Sequence, residues 1–208
     1  YGDSQMVRYL LSKGADPHAR ITKDFMVKGQ PAFEGGTSLM AAADAGDADS
    51  VTALITAGSD VNAATKNGAT SLMAAAAKGR LEAARVLVAY GADVNARTTE
   101  AFKIGQDPVP KGSSVLGGAA FGGFPETVQF LIDNGANVNG KDDDFDIDAL
   151  FLAAMKGHIK VAKILVDNGA DVYAETKMGT AHGAALHYGY TYIAQYINDA
   201  RKKLREDH

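Results

Sequence analysis

A six-residue element recurs five times along the chain, and this recurrence constrains the fold more than any other feature. The copies read Gly14-Ala-Asp-Pro-His-Ala, Gly58-Ser-Asp-Val-Asn-Ala, Gly91-Ala-Asp-Val-Asn-Ala, Gly135-Ala-Asn-Val-Asn-Gly and Gly169-Ala-Asp-Val-Tyr-Ala. Their glycines lie 44, 33, 44 and 34 residues apart. A period of about 33 residues is typical of proteins that stack one small unit on another. Two of the spacings are 11 residues longer than this period, so two units carry an insertion.

The residues between the glycines predict two short helices in each unit. An apolar stripe at helical spacing precedes each glycine, for example Val51, Leu54 and Ile55. The glycine that follows suits the left-handed position that ends a helix. A lone helix pair cannot bury such a stripe, so the units must stack. Residues able to cap the first helix of each unit with a side-chain oxygen are Thr37, Thr70, Ser114, Asp148 and Thr180.

The period, the helix pattern and the repeated element resemble the ankyrin-repeat family over essentially the whole chain. The resemblance implies an all-α solenoid of stacked helix-turn-helix units with protruding β-hairpin-like loops, and protein binding as the general function. We predict a single ankyrin-repeat domain over 1–208 with about five repeats, two of them carrying long hairpin insertions. Its parts are a partial N-terminal repeat at 1–19, repeats at about 20–64, 65–97, 98–141 and 142–175, and a C-terminal capping repeat at 176–208.

The chain departs from the family where a Thr-Pro-Leu-His tetrapeptide is usual. We expect apolar packing to replace the hydrogen bonds of that histidine. Two glycines in one first helix, Gly117 and Gly118, each cost about 1 kcal/mol relative to alanine. We hypothesise that they make room for the backbone of the second insertion. The residues at the histidine position are Met40, Met73, Gly117, Phe151 and Gly183.

The two insertions, at 20–35 and 97–112, resemble each other and are called fingers 1 and 2 below. Each has an arginine, a threonine two residues later, a phenylalanine five residues later, and then a Gly-Gln step and a proline. Such similarity suggests that a two-repeat unit was duplicated. Loops this long within a compact repeat are usually functional. Two interpretations stay open, contact with a partner and attachment of the finger to the stack. The apolar residues concerned are Phe25, Phe33, Phe102 and Ile104.

The resemblance also implies a contact surface, because ankyrin proteins bind partners with loop tips and with the concave side of their first helices. It places a basic row and an apolar series there, and we expect a partner protein with an acidic or mixed surface. Binding of nucleic acid or a small ligand to the basic row is the alternative. An inhibitory or shielding role, like that of an immunity protein in bacteria, is a further expectation by family analogy. The expected contact residues are Lys66, Lys78, Arg97, Lys111, Phe121, Phe145, Ile147, Met155, Lys156, Lys177, His187 and Tyr188.

Patterns that suggest chemistry are few, and we expect no catalysis, cofactor or metal. Residues Asp142 to Asp148 imitate a calcium loop, but the glycine and the bidentate glutamate of such a loop are replaced by Ala149 and Met155. An acidic hairpin tip with Asp148 as a helix cap is the better interpretation. His182 and His187 lack a carboxylate at ligand spacing, which disfavours zinc.

Composition and charge add three expectations. The net charge of −4 gives no strong attraction to nucleic acid or an anionic membrane, so nucleic acid is an unfavoured partner. No apolar run approaches the roughly 18 residues of a membrane span, and we expect a soluble monomer. The lack of cysteine suits both the cytoplasm and a bacterial periplasm, which leaves the location unknown. The chain opens within a repeat, so a leader would lie upstream of Tyr1.

Overall fold

A computed structural model describes residues 4–23, 25–27, 30–32 and 34–206, with backbone alone described for 25–27 and 30–32. Its helices are α1 (Ser4–Ser12), α2 (Ser38–Ala45), α3 (Ala48–Thr56), α4 (Ser71–Ala77), α5 (Leu81–Ala89), α6 (Val115–Gly122), α7 (Pro125–Asp133), α8 (Ala149–Lys156), α9 (Ile159–Asp167), α10 (Ala181–His187) and α11 (Thr191–Glu206). Its strands are β1 (Phe25–Val27), β2 (Gln30–Ala32), β3 (Phe102–Ile104), β4 (Asp107–Val109), β5 (Glu175–Thr176) and β6 (Gly179–Thr180).

The helices pack as two parallel rows. The first helices α2, α4, α6, α8 and α10 contact one another in this order, and the second helices α1, α3, α5, α7, α9 and α11 do the same. Within each unit the first helix also packs on the second. The strands form only short antiparallel pairs, β1 with β2, β3 with β4 and β5 with β6. This arrangement confirms the predicted all-α repeat solenoid.

The helix boundaries follow from capping chemistry. The hydroxyl oxygen of Thr37 accepts a hydrogen bond of 3.2 Å from the backbone N–H of Met40, and the Asp148 carboxylate accepts one of 2.7 Å from Phe151. Thr70, Ser114 and Thr180 cap their helices in the same way, so all five predicted N-caps are confirmed. The five glycines of the repeated element have φ between 86° and 102°, a region that glycine enters without a steric penalty.

The core lies between the two rows and repeats with the units. One leucine from each of four first helices is at most 1% exposed: Leu39, Leu72, Leu116 and Leu150. Buried alanines flank these leucines and allow neighbouring first helices to approach closely, as Ala75 and Ala76 do in α4. Truncation of one such leucine to alanine costs about 2–5 kcal/mol, so this series supplies much of the stability.

The residues at the histidine position show how apolar packing replaces hydrogen bonding. Phe151 is buried and Met73 packs against the core, while Met40 is half-buried. The hypothesis for the two glycines of α6 needs correction. A Cβ on Gly117 would lie 3.2 Å from the hydroxyl of Ser114, the N-cap of its own helix, and 3.4 Å from Leu152 in α8, and one on Gly118 would lie 3.6 Å from Ala77 in α4. The glycines therefore face neighbouring first helices, and finger 2 is not what they accommodate.

Asparagines in the repeated element join consecutive units. The side-chain amide of Asn62 donates to the carbonyl oxygen of Gly91 at 3.0 Å, and its oxygen accepts from the N–H of Asp93 at 2.9 Å. Asn95 and Asn139 repeat both contacts with the units that follow them. These bonds satisfy backbone groups at the helix ends and hold the units in register. The sequence pattern showed the asparagines but not their partners.

Candidate functional site

The loops that precede the first helices are joined to one another by backbone hydrogen bonds. Each loop donates one N–H to a carbonyl oxygen of the loop before it. The four bonds run from Lys66 to Glu34 at 2.9 Å, from Thr99 to Asn67 at 2.9 Å, from Asp143 to Lys111 at 2.8 Å and from Lys177 to Phe145 at 2.9 Å. The loop tips thus form a continuous ledge, and side chains on it are held by a scaffold that is already ordered.

Most cations of the predicted basic row are engaged within the chain. The Arg97 guanidinium donates to the carbonyl oxygen of Gly112 at 2.9 Å, to that of Lys141 and to the Asp143 carboxylate at 2.7 Å. The Lys177 ammonium donates to the carbonyl oxygen of Asp144 at 2.7 Å. These bonds are internal contacts of the ledge, so the first role of Arg97 and Lys177 is to hold the loops of the chain together.

The remaining loop cations are also paired. The Lys66 ammonium lies 3.5 Å from the Glu34 carboxylate, and the Lys111 ammonium lies 4.0 Å from that of Asp143. The Lys141 ammonium donates to the carbonyl oxygen of Glu175 at 3.1 Å. The loop cations of the ledge are therefore held by contacts within the chain, which weakens the alternative of nucleic-acid binding there.

The acidic loop, residues 142–148, is also held by contacts within the chain. The Asp142 carboxylate is buried and accepts hydrogen bonds from the N–H groups of Asp144 at 3.0 Å, Phe145 at 2.6 Å and Ile147 at 3.1 Å. Burial raises the pKa of Asp142, and these hydrogen bonds oppose the shift. The predicted role of Asp148 as a helix cap is confirmed, whereas the acidic residues before it form a turn and not a strand-paired hairpin. Within the described residues, no three His, Asp or Glu side chains come together as metal ligands.

Two predicted cations differ from the others, because they lie on first helices. Lys78 is the C-cap of α4 and is exposed, and within the described part of the chain its ammonium has no carboxylate partner. Lys156 ends α8, and its ammonium lies 4.1 Å from the centroid of the Phe121 ring. Such a cation–π contact orients the ammonium without neutralising its charge.

The apolar members of the predicted surface separate into three groups. Phe145 and Tyr188 are exposed, at 42% and 50%, and the His187 ring packs edge-on against that of Tyr188. Phe121 and Met155 are half-buried. Ile147 is only 9% exposed and belongs to the core, which corrects its assignment to the contact surface. It directly precedes the cap of α8, and that position turns its side chain inward.

One exposed residue of this region was missed by the sequence analysis. Met178, at the turn between β5 and β6, is 56% exposed. Its neighbour Lys177 donates its N–H to Phe145, so Met178 and Phe145 stand on adjacent loop tips. The sequence could have indicated Met178, because this residue lies in the short hairpin before α10, a position equivalent to the other loop tips.

Finger 2 is a two-stranded hairpin with an apolar side. Phe102 pairs with Val109 and Ile104 with Asp107, so these side chains share one face. Phe102 and Val109 near the base are half-buried, whereas Ile104 near the turn is 40% exposed. Each of the two interpretations of the finger thus fits a different residue. Packing at Phe102 fits attachment to the stack, and exposure at Ile104 fits contact with a partner.

Finger 1 has the same backbone pairing, with Phe25 opposite Ala32 and Val27 opposite Gln30. Phe33 and the side chain of Phe25 lie outside the described residues. An arginine sits at the base of each finger, and Arg20 donates to the carbonyl oxygens of Gly35 at 3.3 Å and of Ala64 at 3.0 Å. Arg97 makes the equivalent bonds, so the similarity of the two insertions extends to their attachment.

No helix among the described residues is long and apolar enough to cross a lipid bilayer.

A family model described as ankyrin repeats (3 copies) matches residues 1–98 and 103–205. The ankyrin repeat and KH domain-containing protein mask-1 of Caenorhabditis elegans is 45% identical over 53 residues. That match covers 26% of this chain and 2% of the relative, so the chain spans only a small part of that protein. The chain therefore belongs to the ankyrin-repeat family, whose members are general protein–protein interaction modules and typically non-catalytic.

Proposed function

We propose that this chain binds a partner protein by a contact surface made of the ledge and the first helices from α4 onward. The observation that carries the proposal is the exposure of Phe145, Met178 and Tyr188 on a hydrogen-bonded scaffold. The contact surface consists of Lys78, Phe121, Phe145, Met155, Lys156, Met178, His187 and Tyr188.

The composition of this surface supports binding to a protein. Aromatic residues and methionine are enriched in the centres of protein interfaces, where a few anchors carry most of the binding energy. Single exposed apolar residues are common on any protein, but here Phe145 and Met178 stand on adjacent loop tips. The backbone of both tips is already ordered, so binding does not have to immobilise it.

Finger 2 is the second part of the proposal. Its base is anchored by Arg97 and its half-buried Phe102, which leaves Ile104 free to meet a partner that lies against the ledge. A hairpin held in this way would cover part of the partner beyond the contact surface. The predicted inhibitory or shielding role depends on this geometry and stays a prediction.

We propose that the chain acts by binding alone. The contact surface holds apolar side chains, two lysines, His187 and Tyr188, and none of these eight residues is a carboxylate, serine, threonine or cysteine. The alternative of nucleic-acid or small-ligand binding has less support, since the loop cations are engaged internally.

The test is retention of a partner by the immobilised chain and by two triple variants. Phe145→Ser, Met178→Ser and Tyr188→Ser together remove the exposed anchors of the contact surface. Tyr9→Ser, Tyr90→Ser and Leu204→Ser remove comparably exposed residues elsewhere and serve as the matched control. We expect the wild-type chain and the control triple variant to retain the same partner protein. The triple variant of the contact surface should lose that protein. Retention by the surface variant would show that the binding surface lies elsewhere.

A further inference from the structure

We propose that the partner segment bound at the contact surface is extended and carries two carboxylates that flank apolar side chains. The carboxylates pair with Lys78 and Lys156, and the apolar side chains lie on Phe121, which is on the helix between the two lysines, and on Met155 beside Lys156. This inference rests on the proposed function and names the chemistry of the partner.

The first step is the distribution of free cationic charge. Every loop cation of the ledge has an internal partner: Lys66 with Glu34, Arg97 and Lys111 with Asp143, and Lys141 and Lys177 with backbone carbonyl oxygens. Lys78 and Lys156 have none of these contacts within the part of the chain that the structure describes. The contact surface therefore presents two uncompensated positive charges, and both come from first helices.

The second step is spacing. Lys78 and Lys156 occupy equivalent positions in α4 and α8, each eight residues after the N-cap of its helix. Helix α6 lies between α4 and α8, so the backbones of the two lysines are separated by two helix-to-helix steps, about 16–20 Å. An extended chain advances about 3.3 Å per residue, so a separation of six residues spans about 20 Å. Residues six apart also point to the same side of a strand, as the pairing requires.

The third step is the apolar floor beside the two lysines. Phe121 in α6 and Met155 in α8 are half-buried, so each leaves part of its apolar surface accessible. The Lys156 ammonium over the Phe121 ring places a positive charge directly beside this floor. A segment with only acidic residues would leave the floor uncovered, and a purely apolar segment would bury the lysines without partners.

The fourth step limits the extent of the site. Asp44 in α2 is exposed and sits seven residues after its N-cap, the position that Phe121 and Met155 occupy in α6 and α8. Its carboxylate repels an acidic segment and confines it to the part of the row from α4 onward. The charge pattern along the first helices thus specifies one end of the bound segment.

The experiment uses the full chain and a fluorescein-labelled peptide, Gly-Ser-Glu-Thr-Phe-Thr-Leu-Thr-Glu-Ser-Gly, in which the two glutamates are six residues apart. Its control has glutamine at both glutamate positions, and a labelled oligouridine tests nucleic acid. We expect anisotropy to show binding of the glutamate peptide that weakens with salt, and weaker binding of both controls. Tighter binding of oligouridine, or equal binding of the glutamine peptide, would overturn the proposal.

Variants of the chain then locate the binding. Lys78→Gln with Lys156→Gln should weaken binding of the glutamate peptide about tenfold, since each exposed ion pair contributes up to about a fivefold factor. Lys160→Gln with Lys203→Gln carries the same loss of charge on the second helices α9 and α11 and should change binding less than about twofold. Asp44→Lys should strengthen binding. Equal effects of the two double variants would show that the lysines of the contact surface are not the site.

The two proposals fail differently. The natural partner could be lost from the Phe145, Met178 and Tyr188 triple variant but not from the lysine double variant. That result would support the proposed contact surface and contradict the proposed acidic segment. If the triple variant still retains that partner, the proposed function fails first.

Discussion

The Arg97 guanidinium lies 2.7 Å from the Asp143 carboxylate and so ties the base of finger 2 to the loop of the next repeat. The two residues are 46 positions apart in the chain. The same guanidinium donates to the carbonyl oxygens of Gly112 and Lys141. One side chain therefore joins the finger, the ledge and the acidic loop.

Removal of this connection should destabilise the fold. We expect Arg97→Ala to lower the free energy of unfolding by about 1–2 kcal/mol, mainly through two carbonyl oxygens left without their donor. The ion pair itself adds little, because both side chains are nearly half exposed. Urea denaturation measures the change, with Arg85→Ala as the control because Arg85 pairs with Glu82 in its own helix and lies over the Phe130 ring, but within the described residues its side chain donates to no backbone carbonyl oxygen. Equal stability of the two variants would contradict a structural role of Arg97.

The Ser71 hydroxyl is buried and has no hydrogen-bond partner within the described structure. Equivalent positions in later units hold Val115, Ala149 and Ala181. We expect Ser71→Ala to raise the free energy of unfolding by about 1 kcal/mol, because it removes an unsatisfied buried polar group. Thermal unfolding checks this, and a lower melting temperature would show that the hydroxyl has a partner.

Asp142 organises the acidic loop through three accepted hydrogen bonds. Asparagine has one acceptor oxygen in place of two, so Asp142→Asn leaves at least one N–H without a partner. We expect a loss of about 1–3 kcal/mol in the free energy of unfolding at pH 7. The measurement is urea denaturation, and loosening of the 142–148 loop should appear as faster hydrogen exchange. An unchanged midpoint would exclude this role.

The same carboxylate makes a prediction about pH. Burial raises the pKa of Asp142 above its unfolded value of 3.8, so the folded state binds the proton more tightly than the unfolded state. The contribution of Asp142 to stability therefore becomes more favourable as the pH falls through its folded pKa. We expect the deficit of Asp142→Asn relative to wild type to widen toward pH 4. A deficit that narrows on acidification would mean that the hydrogen bonds outweigh burial.

Leu186 shows how position in the stack sets the cost of a substitution. It lies six residues after the N-cap of α10 and is exposed, whereas the equivalent Ala154 in α8 is fully buried against its neighbours. We expect Ala154→Leu to cost at least about 1–3 kcal/mol through overpacking. Leu186→Ala should change the free energy of unfolding by less than about 0.5 kcal/mol. Chemical denaturation distinguishes the two, and similar costs would contradict the stacking order.

Much of the architecture was predictable from residues alone. The caps at Thr37 and Asp148, the left-handed glycines and the insertions all obey rules that act within a few residues, and the period repeats those rules along the chain. The family's loop-tip and first-helix positions identified Phe145 and Tyr188, which proved to be exposed.

Which residues belong to the contact surface could not be predicted from local sequence, because it depends on contacts between residues that are far apart in the chain. The sequence predicts a partner contact for Arg97, but the structure pairs this residue with Asp143 in the next unit. The sequence likewise predicts an exposed Ile147, but this side chain faces the core. Local patterns specify which residues form helices and turns, because helix hydrogen bonds and caps join near neighbours. Whether a charge or an apolar side chain stays free depends on what the adjacent unit places against it, and only the stacked structure decides that.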